Sequence, residues 1–308
     1  MDIKDIKGIF ERQTGRTPLA IVKYEILTNN IVYRIETRTQ SYIFKVYVSK
    51  GWPEEGKRLF VNRKLREFGI PHAEIIVHCC GDDKFPNGYL IEECLPGTTA
   101  DRLGFSGGDA IQFYKKLAAL VSRVHQIKME NYGYTGDGAP ALWTSFSEYA
   151  YDSLNDYAVQ VVEKNLIAAD KFEIIAQEIR KQTRICDVVP SVLNHGDLSK
   201  KNMLVHSDEI TLIDWDDAHS LCWMDDIALL TLLMKLEYGS ETAGIYRKVF
   251  LDSYESEHDK KLFRECEDIL HVRHGLEHLN FYAGKPQFET IKRAFLESLG
   301  KCGIKITI

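Results

Sequence analysis

The sequence predicts an α+β protein in which a small antiparallel sheet comes first and a larger, mainly helical lobe follows. Three features of the 308 residues lead there. Runs rich in β-branched and aromatic residues, split by short polar turns, occupy positions 21–48 and 73–94. Leu95-Pro96-Gly97 then breaks the pattern. After it, apolar residues recur at helical intervals almost to the C-terminus. The expected division is therefore residues 1–97 and residues 98–308.

The chain opens with Ile3, Ile6, Ile9 and Phe10 at helical spacing, stopping near Gly15. Ile21–Leu27, Ile31–Thr37 and Tyr42–Val48 read as a three-stranded meander, with turns at Thr28-Asn29-Asn30 and Arg38-Thr39-Gln40. Pro53 suits the first turn of a helix running to about Phe68, with Gly69 as its stop. Ala73–Cys80 and Tyr89–Cys94 complete the strand-rich lobe. Beyond Gly97, residues 111–124, Ser145–Leu166, Phe172–Ile185, Met224–Leu236, Tyr246–Tyr254, Leu262–Leu279 and Phe288–Leu299 have helical periodicity. The region 192–214 is the one clear β signal among them.

Composition narrows the class. Charged residues at 27% and apolar residues at 44% are typical of a water-soluble globular chain. No apolar run approaches the ~20 residues that span a bilayer, and Met1-Asp2-Ile3-Lys4-Asp5 lacks the layout of a secretory signal. Seven cysteines without a Cys-x-x-Cys pair suggest reduced thiols in a cytoplasmic protein. The net charge of −6 arises from residues 140–308, since the first 139 are slightly basic. Nucleic acid is a poor partner for that acidic half, whereas a small cation would be concentrated by it.

The chemistry concentrates in His195-Gly196-Asp197-Leu198-Ser199-Lys200-Lys201-Asn202 and Ile213-Asp214-Trp215-Asp216-Asp217. An apolar run leads into the first stretch. Met203–Val205 and Ile210–Ile213, joined by a polar turn, connect it to the second as a hairpin would. Such a hairpin puts Asp197, Asn202 and Asp214 on one rim. Hard cations such as Mg²⁺ take oxygen ligands and share them with substrate phosphates. The set fits phosphoryl transfer, with Asp197 orienting and deprotonating an acceptor hydroxyl and Asn202 and Asp214 holding Mg²⁺. His195 ties the loop together by hydrogen bonds.

On these residues the chain resembles the aminoglycoside phosphotransferase and choline kinase-like superfamily of small-molecule kinases, which has Gly where protein kinases have Arg in His-Arg-Asp. The resemblance implies a two-lobed, protein-kinase-like fold. Its sheet lobe would bind nucleotide and end in the hinge; its helical lobe would hold the catalytic loop, metal site and acceptor pocket. Asn29-Asn30-Ile31 is similar to the nucleotide loop, which puts Asn30 at the phosphates. Tyr42–Tyr47 resembles the strand bearing the phosphate-contacting lysine, here Lys45. A glutamate of the 53–68 helix, Glu55 or its neighbour Glu54, would pair with Lys45. Backbone groups of Glu93 and Leu95 would bond the base. Asp225-Asp226-Ile227-Ala228 matches a segment whose Asp holds the catalytic loop. Departures are a phosphate turn without glycine, and Trp215-Asp216 in place of Phe-Gly. The latter leaves Asp216 as a second metal ligand, a contact for a cationic substrate, or a solvated turn carboxylate.

The resemblance implies ATP or GTP and Mg²⁺ as cofactors and a small hydroxylated acceptor. The acidic helical lobe leans towards an aminoglycoside, with choline, ethanolamine, homoserine or another metabolite as alternatives. A nucleotide-binding pseudokinase regulator is the alternative of another class. Trp143, Tyr149, Tyr151, Trp223, Glu277, His278 and Tyr282 are candidates to line the acceptor pocket.

Overall fold

A computed structural model of the chain describes residues 2–24, 30–255 and 260–306. The end of the expected 21–27 strand, and Thr28 and Asn29 of the phosphate turn, lie outside the described residues. In chain order the elements are α1 (Ile3–Thr14), β1 (Ala20–Lys23), β2 (Ile31–Glu36), β3 (Ser41–Val46), α2 (Lys57–Glu67), β4 (Ile75–Cys79), β5 (Tyr89–Glu93) and β6 (Thr98–Thr99). There follow α3 (Gly107–Val124), β7 (Gly133–Tyr134), α4 (Phe146–Asp152), α5 (Asn155–Glu163), α6 (Ala169–Gln182) and β8 (Ser191–Asn194). Last come β9 (Met203–His206), β10 (Glu209–Leu212), β11 (His219–Cys222), α7 (Trp223–Ser253), α8 (Lys260–Tyr282) and α9 (Phe288–Lys301).

The chain divides into two compact units. The first comprises residues 1–99, 136–138 and 203–216. Its antiparallel sheet has the order β1-β2-β3-β5-β4. Strand alternation sends Tyr42, Phe44 and Val46 of β3 to one face, where they bury with Ile6, Ile9 and Phe10 of α1 and with Tyr89 and Ile91 of β5. Lys45 of β3 and Glu92 of β5 alternate with those residues and so face the other way, towards α2, whose Arg58 bonds Glu92. Hydrophobic alternation on one face thus positions charged residues on the other. The β9–β10 hairpin turns through Ser207 and Asp208, both at positive φ, as a two-residue type I′ connection requires.

The second unit comprises residues 100–135, 139–202 and 217–308. Helices predominate, around a small sheet of order β7-β11-β8. The start of α7 is buried on all sides, and Asp225 and Asp226 are buried within it. Gly239 (φ 74, ψ 164) interrupts α7, separating the two helical runs expected at 224–236 and 246–254.

Residues 203–216, with the β9–β10 hairpin, group with the first unit, where β9 pairs with β6. Several expectations are corrected. The helix expected from Pro53 begins at Lys57, since Gly56 at its N-cap holds a left-handed conformation. The single helix expected over 145–166 is two, α4 and α5, with Ser153 and Leu154 between them. Strands β7 and β11 had no readable signal, being two and four residues long.

Phe44 is fully buried, with Tyr89 stacked 5.1 Å from it and Phe85 at 6.0 Å. Phe44→Ala is expected to destabilise the strand-rich unit by about 3–5 kcal/mol. Urea unfolding would measure it, and a change under about 1 kcal/mol would contradict this packing.

Candidate active site

In the first unit the charged face of the sheet carries a network of ion pairs. The Lys45 ammonium donates to Asp214 Oδ1 at 2.6 Å and to Asp216 Oδ2 at 3.0 Å. Burial alone would lower the lysine's pKa, but Asp214 and Asp216 more than offset it; the pKa is raised and the ammonium stays charged. Asp216 is held on every side: Arg58 Nη1 donates to Oδ1 at 2.6 Å, Asn30 Nδ2 to Oδ2 at 3.1 Å, and Lys57 Nζ to its carbonyl at 3.3 Å. The second arm of Arg58, Nη2, reaches Glu92 Oε2 at 2.8 Å. Burial would lower the Arg58 pKa, yet Glu92 and Asp216 raise it overall. Asp214 and Asp216 are not equivalent. The Asp214 side chain is 40% exposed and that of Asp216 5%. Asp214 also sits at φ 62, a left-handed conformation that a short polar residue tolerates better than most.

In the second unit β8 delivers the chain into His195-Gly196-Asp197. The Asp226 carboxylate accepts from the backbone N–H of His195 at 2.7 Å and of Gly196 at 2.9 Å, and lies 3.2 Å from His125 Nε2. Its neighbour Asp225 does different work, accepting from Arg273 Nη1 at 2.9 Å. Gly196 (φ 81) admits no side chain, because a Cβ would fall 1.9 Å from the Asp217 carbonyl oxygen. The Asp197 N–H donates to His195 Nδ1 at 3.3 Å, and Asn202 Nδ2 donates to the Asp197 carbonyl at 3.1 Å. Lys201 lies 3.0 Å from the Asp197 carboxylate. Burial would raise the Asp197 pKa, but Lys201 and His195 outweigh it and hold it below the usual carboxylate value. Asp197 is therefore ionised at neutral pH.

The expected site residues fall as follows. Within the first unit Lys45, Asp214 and Asn30 come together, with Asn30 holding Asp216. Within the second, Asp197 and Asn202 are adjacent. Glu55 is a correction: it is exposed and precedes α2, and the carboxylates on Lys45 are Asp214 and Asp216. Glu54 is no substitute, since it pairs with Lys57. The Glu93 N–H is already bonded to Glu74 O at 3.0 Å, so Glu93 could meet a base only through its carbonyl. Asp216 is not a solvated turn carboxylate but a buried anchor. Arg58 and Glu92 escaped sequence reading; a charged residue at a strand position flanked by Ile91 was the signal for Glu92. Of the acceptor candidates, Trp223 is core, stacked on Tyr254 at 5.2 Å. Tyr134, Trp143, Tyr149 and His219 form one aromatic group in the second unit.

The chain matches the profile of the phosphotransferase enzyme family (APH) over residues 26–262, well over half its length. It belongs to that family. No curated protein matches it by sequence. Among solved structures it is similar to aminoglycoside phosphotransferase APH(4)-Ia in ternary complex with ADP and hygromycin B, at 14% identity, 97% of each chain and TM-score 0.71. It is similar also to a Thermobifida fusca protein proposed to be a fructosamine-3-kinase, at 17% identity, 97% of this chain, 100% of that one and TM-score 0.69. The streptomycin-ATP-APH(2'')-IIa complex matches at 13% identity, 98% of each chain and TM-score 0.68. At these identities the likeness establishes the fold.

For a phosphotransferase of this family the remaining question of chemistry is the metal. Among the described residues no group of three or more His, Cys, Asp or Glu side chains is placed to hold one. Mg²⁺ uses one or two protein carboxylates and takes its other oxygens from water and phosphate. The Asp214 carboxylate and the Asn202 amide oxygen are donors of the right type. Among the described residues no helix is long and apolar enough to cross a membrane.

The Arg273–Asp225 pair links α8 to α7 and holds the Asp225 pKa well below its ordinary value, the arginine outweighing burial. A depressed folded-state pKa adds stability above the unfolded value near 4 and loses it as pH falls below that. Asp225→Asn should therefore be less stable than the parent at pH 7, with the difference shrinking progressively as pH falls below about 4. Thermal melts across that range would check it, and a constant difference would refute it.

Proposed function

We propose that this protein transfers the γ-phosphate of ATP or GTP to a hydroxyl of a small, cationic acceptor, with an aminoglycoside as the leading substrate class. The observation that carries the reading is the 2.6 Å contact between Lys45 and Asp214, residues far apart in sequence. One is the expected cation for nucleotide phosphate and the other the expected carboxylate for Mg²⁺. Family membership supports the reaction type. The acidic balance of residues 140–308 supports a cationic acceptor, as does the binding of hygromycin B and streptomycin by similar structures.

In this reading Lys45 binds the phosphates, and the Glu93 carbonyl and Leu95 N–H bond the base. Asp214 and Asn202 would hold Mg²⁺, which would supply charge neutralisation to the phosphates. The acceptor hydroxyl is oriented by the ionised Asp197 carboxylate. Its oxygen bonds to the γ-phosphorus, the bond from phosphorus to the β–γ bridging oxygen breaks, and the nucleoside diphosphate leaves. The hydroxyl proton passes to Asp197. The His195–Asp226 hydrogen bonds keep the loop from moving as this happens.

Asp197→Ala should lower turnover by about 10²–10⁴-fold or more while nucleotide affinity stays near that of the parent. Parent-like turnover would overturn the assignment. A coupled ADP- and GDP-release screen over aminoglycosides, choline, ethanolamine, homoserine and thiamine tests the substrate class. Stimulated release with an aminoglycoside is the expected result; stimulation by a neutral or zwitterionic metabolite alone would replace that class, and nucleotide binding with no transfer to any acceptor would mark a pseudokinase.

A further inference from the structure

A phosphate-binding lysine on a strand needs a fixed counter-charge, because a flexible ammonium loses rotamer entropy each time it is placed. The glutamate expected from α2 does not provide one. At the corresponding place α2 presents a cation, Arg58, and the counter-charge comes from Asp216 beyond the hairpin.

The two carboxylates on Lys45 divide the task by exposure. Asp214, at 40% exposed, can exchange the ammonium for another cation; Asp216, at 5%, is clamped by Arg58, Asn30 and Lys57 and cannot. Asp216 is therefore the carboxylate that keeps Lys45 in place when Asp214 is engaged elsewhere. The orientation of Asp216 depends in turn on a guanidinium whose two arms span Asp216 and Glu92 at 2.6 and 2.8 Å. A planar fork can bridge two carboxylates at fixed separation, whereas a single ammonium of shorter reach cannot.

We propose that Arg58 is a positioning residue for nucleotide phosphates: through Asp216 it sets where the Lys45 ammonium stands, and through Glu92 it ties α2 to strand β5. This rests on the phosphotransferase reading of the same site. It assigns α2 the opposite charge from the one a lysine–glutamate pairing would demand. It also makes the residue two positions after Asp214 a structural partner of Lys45, with no role as a metal ligand.

The test compares phosphate-dependent with phosphate-independent affinity. Calorimetry would measure MgATP and adenosine, or MgGTP and guanosine if the parent prefers guanine, for Arg58→Lys and for the double variant Arg58→Met, Glu92→Gln. The double variant removes the carboxylate that Arg58→Met alone would leave buried and unpaired, so that folding and positioning separate. The expected result is triphosphate affinity weakened tenfold or more with nucleoside affinity within about twofold, in both variants. Combining Asp216→Asn with Arg58→Lys should add little to the weaker single variant, because both act through one contact. Equal weakening of triphosphate and nucleoside, no weakening of either, or loss of folding in both variants would show Arg58 to be merely structural and overturn the proposal. A parent protein that binds neither triphosphate would instead refute the phosphotransferase reading, and this inference would fall with it.

Discussion

The buried carboxylate of Asp216 is the anion around which the charged network of the strand-rich unit is assembled. A carboxylate removed from water is tolerated only when its oxygens are fully satisfied. Here Lys45, Arg58 and Asn30 satisfy the side chain, and Lys57 bonds the carbonyl. Those donors come from three parts of the unit: Lys45 from β3, Asn30 from just before β2, and Lys57 and Arg58 from the first turn of α2. Satisfying one anion therefore fixes the end of the hairpin against the sheet and α2 together, and Asp214, two residues earlier, is placed as a consequence.

The helical unit solves a similar problem with another buried carboxylate. Asp226 lies at the N-terminal end of α7, where main-chain N–H groups favour negative charge, and accepts from the N–H groups of His195 and Gly196. The loop that follows β8 cannot drift while those bonds last, and Gly196 lets it pass against the Asp217 carbonyl. Asp197 is thus held through its backbone, and its carboxylate remains for other partners. In both units a buried, fully bonded Asp fixes a neighbouring segment: Asp216 the end of the hairpin and Asp226 the loop after β8.

Much of the first unit was legible because its strands bury one face against α1. The alternation of Tyr42, Phe44 and Val46 marked β3, and Lys45 stood out as the charged residue within it. The loop 195–202 and the segment 213–217 were legible by spacing. The helices of the second unit were legible where one stripe faces the core, as in α3 and α9. Legibility failed where local propensity is overruled: α2 starts four residues late because Gly56 breaks the run from Pro53, and β7 and β11 are too short to show a period.

By itself the sequence determined the α+β architecture, the phosphotransferase class through the His195–Asn202 and Asp214 spacing, and Lys45 as the charged residue within a largely apolar strand. These follow from periodicity and local spacing, which a linear chain displays. Only the tertiary structure decided which carboxylates hold Lys45, that α2 offers Arg58 beside them, and that Asp226 and not Asp225 secures the loop after β8. Those choices depend on which side chains meet after burial, and the cost of an unpaired buried charge is set by partners distant in the sequence.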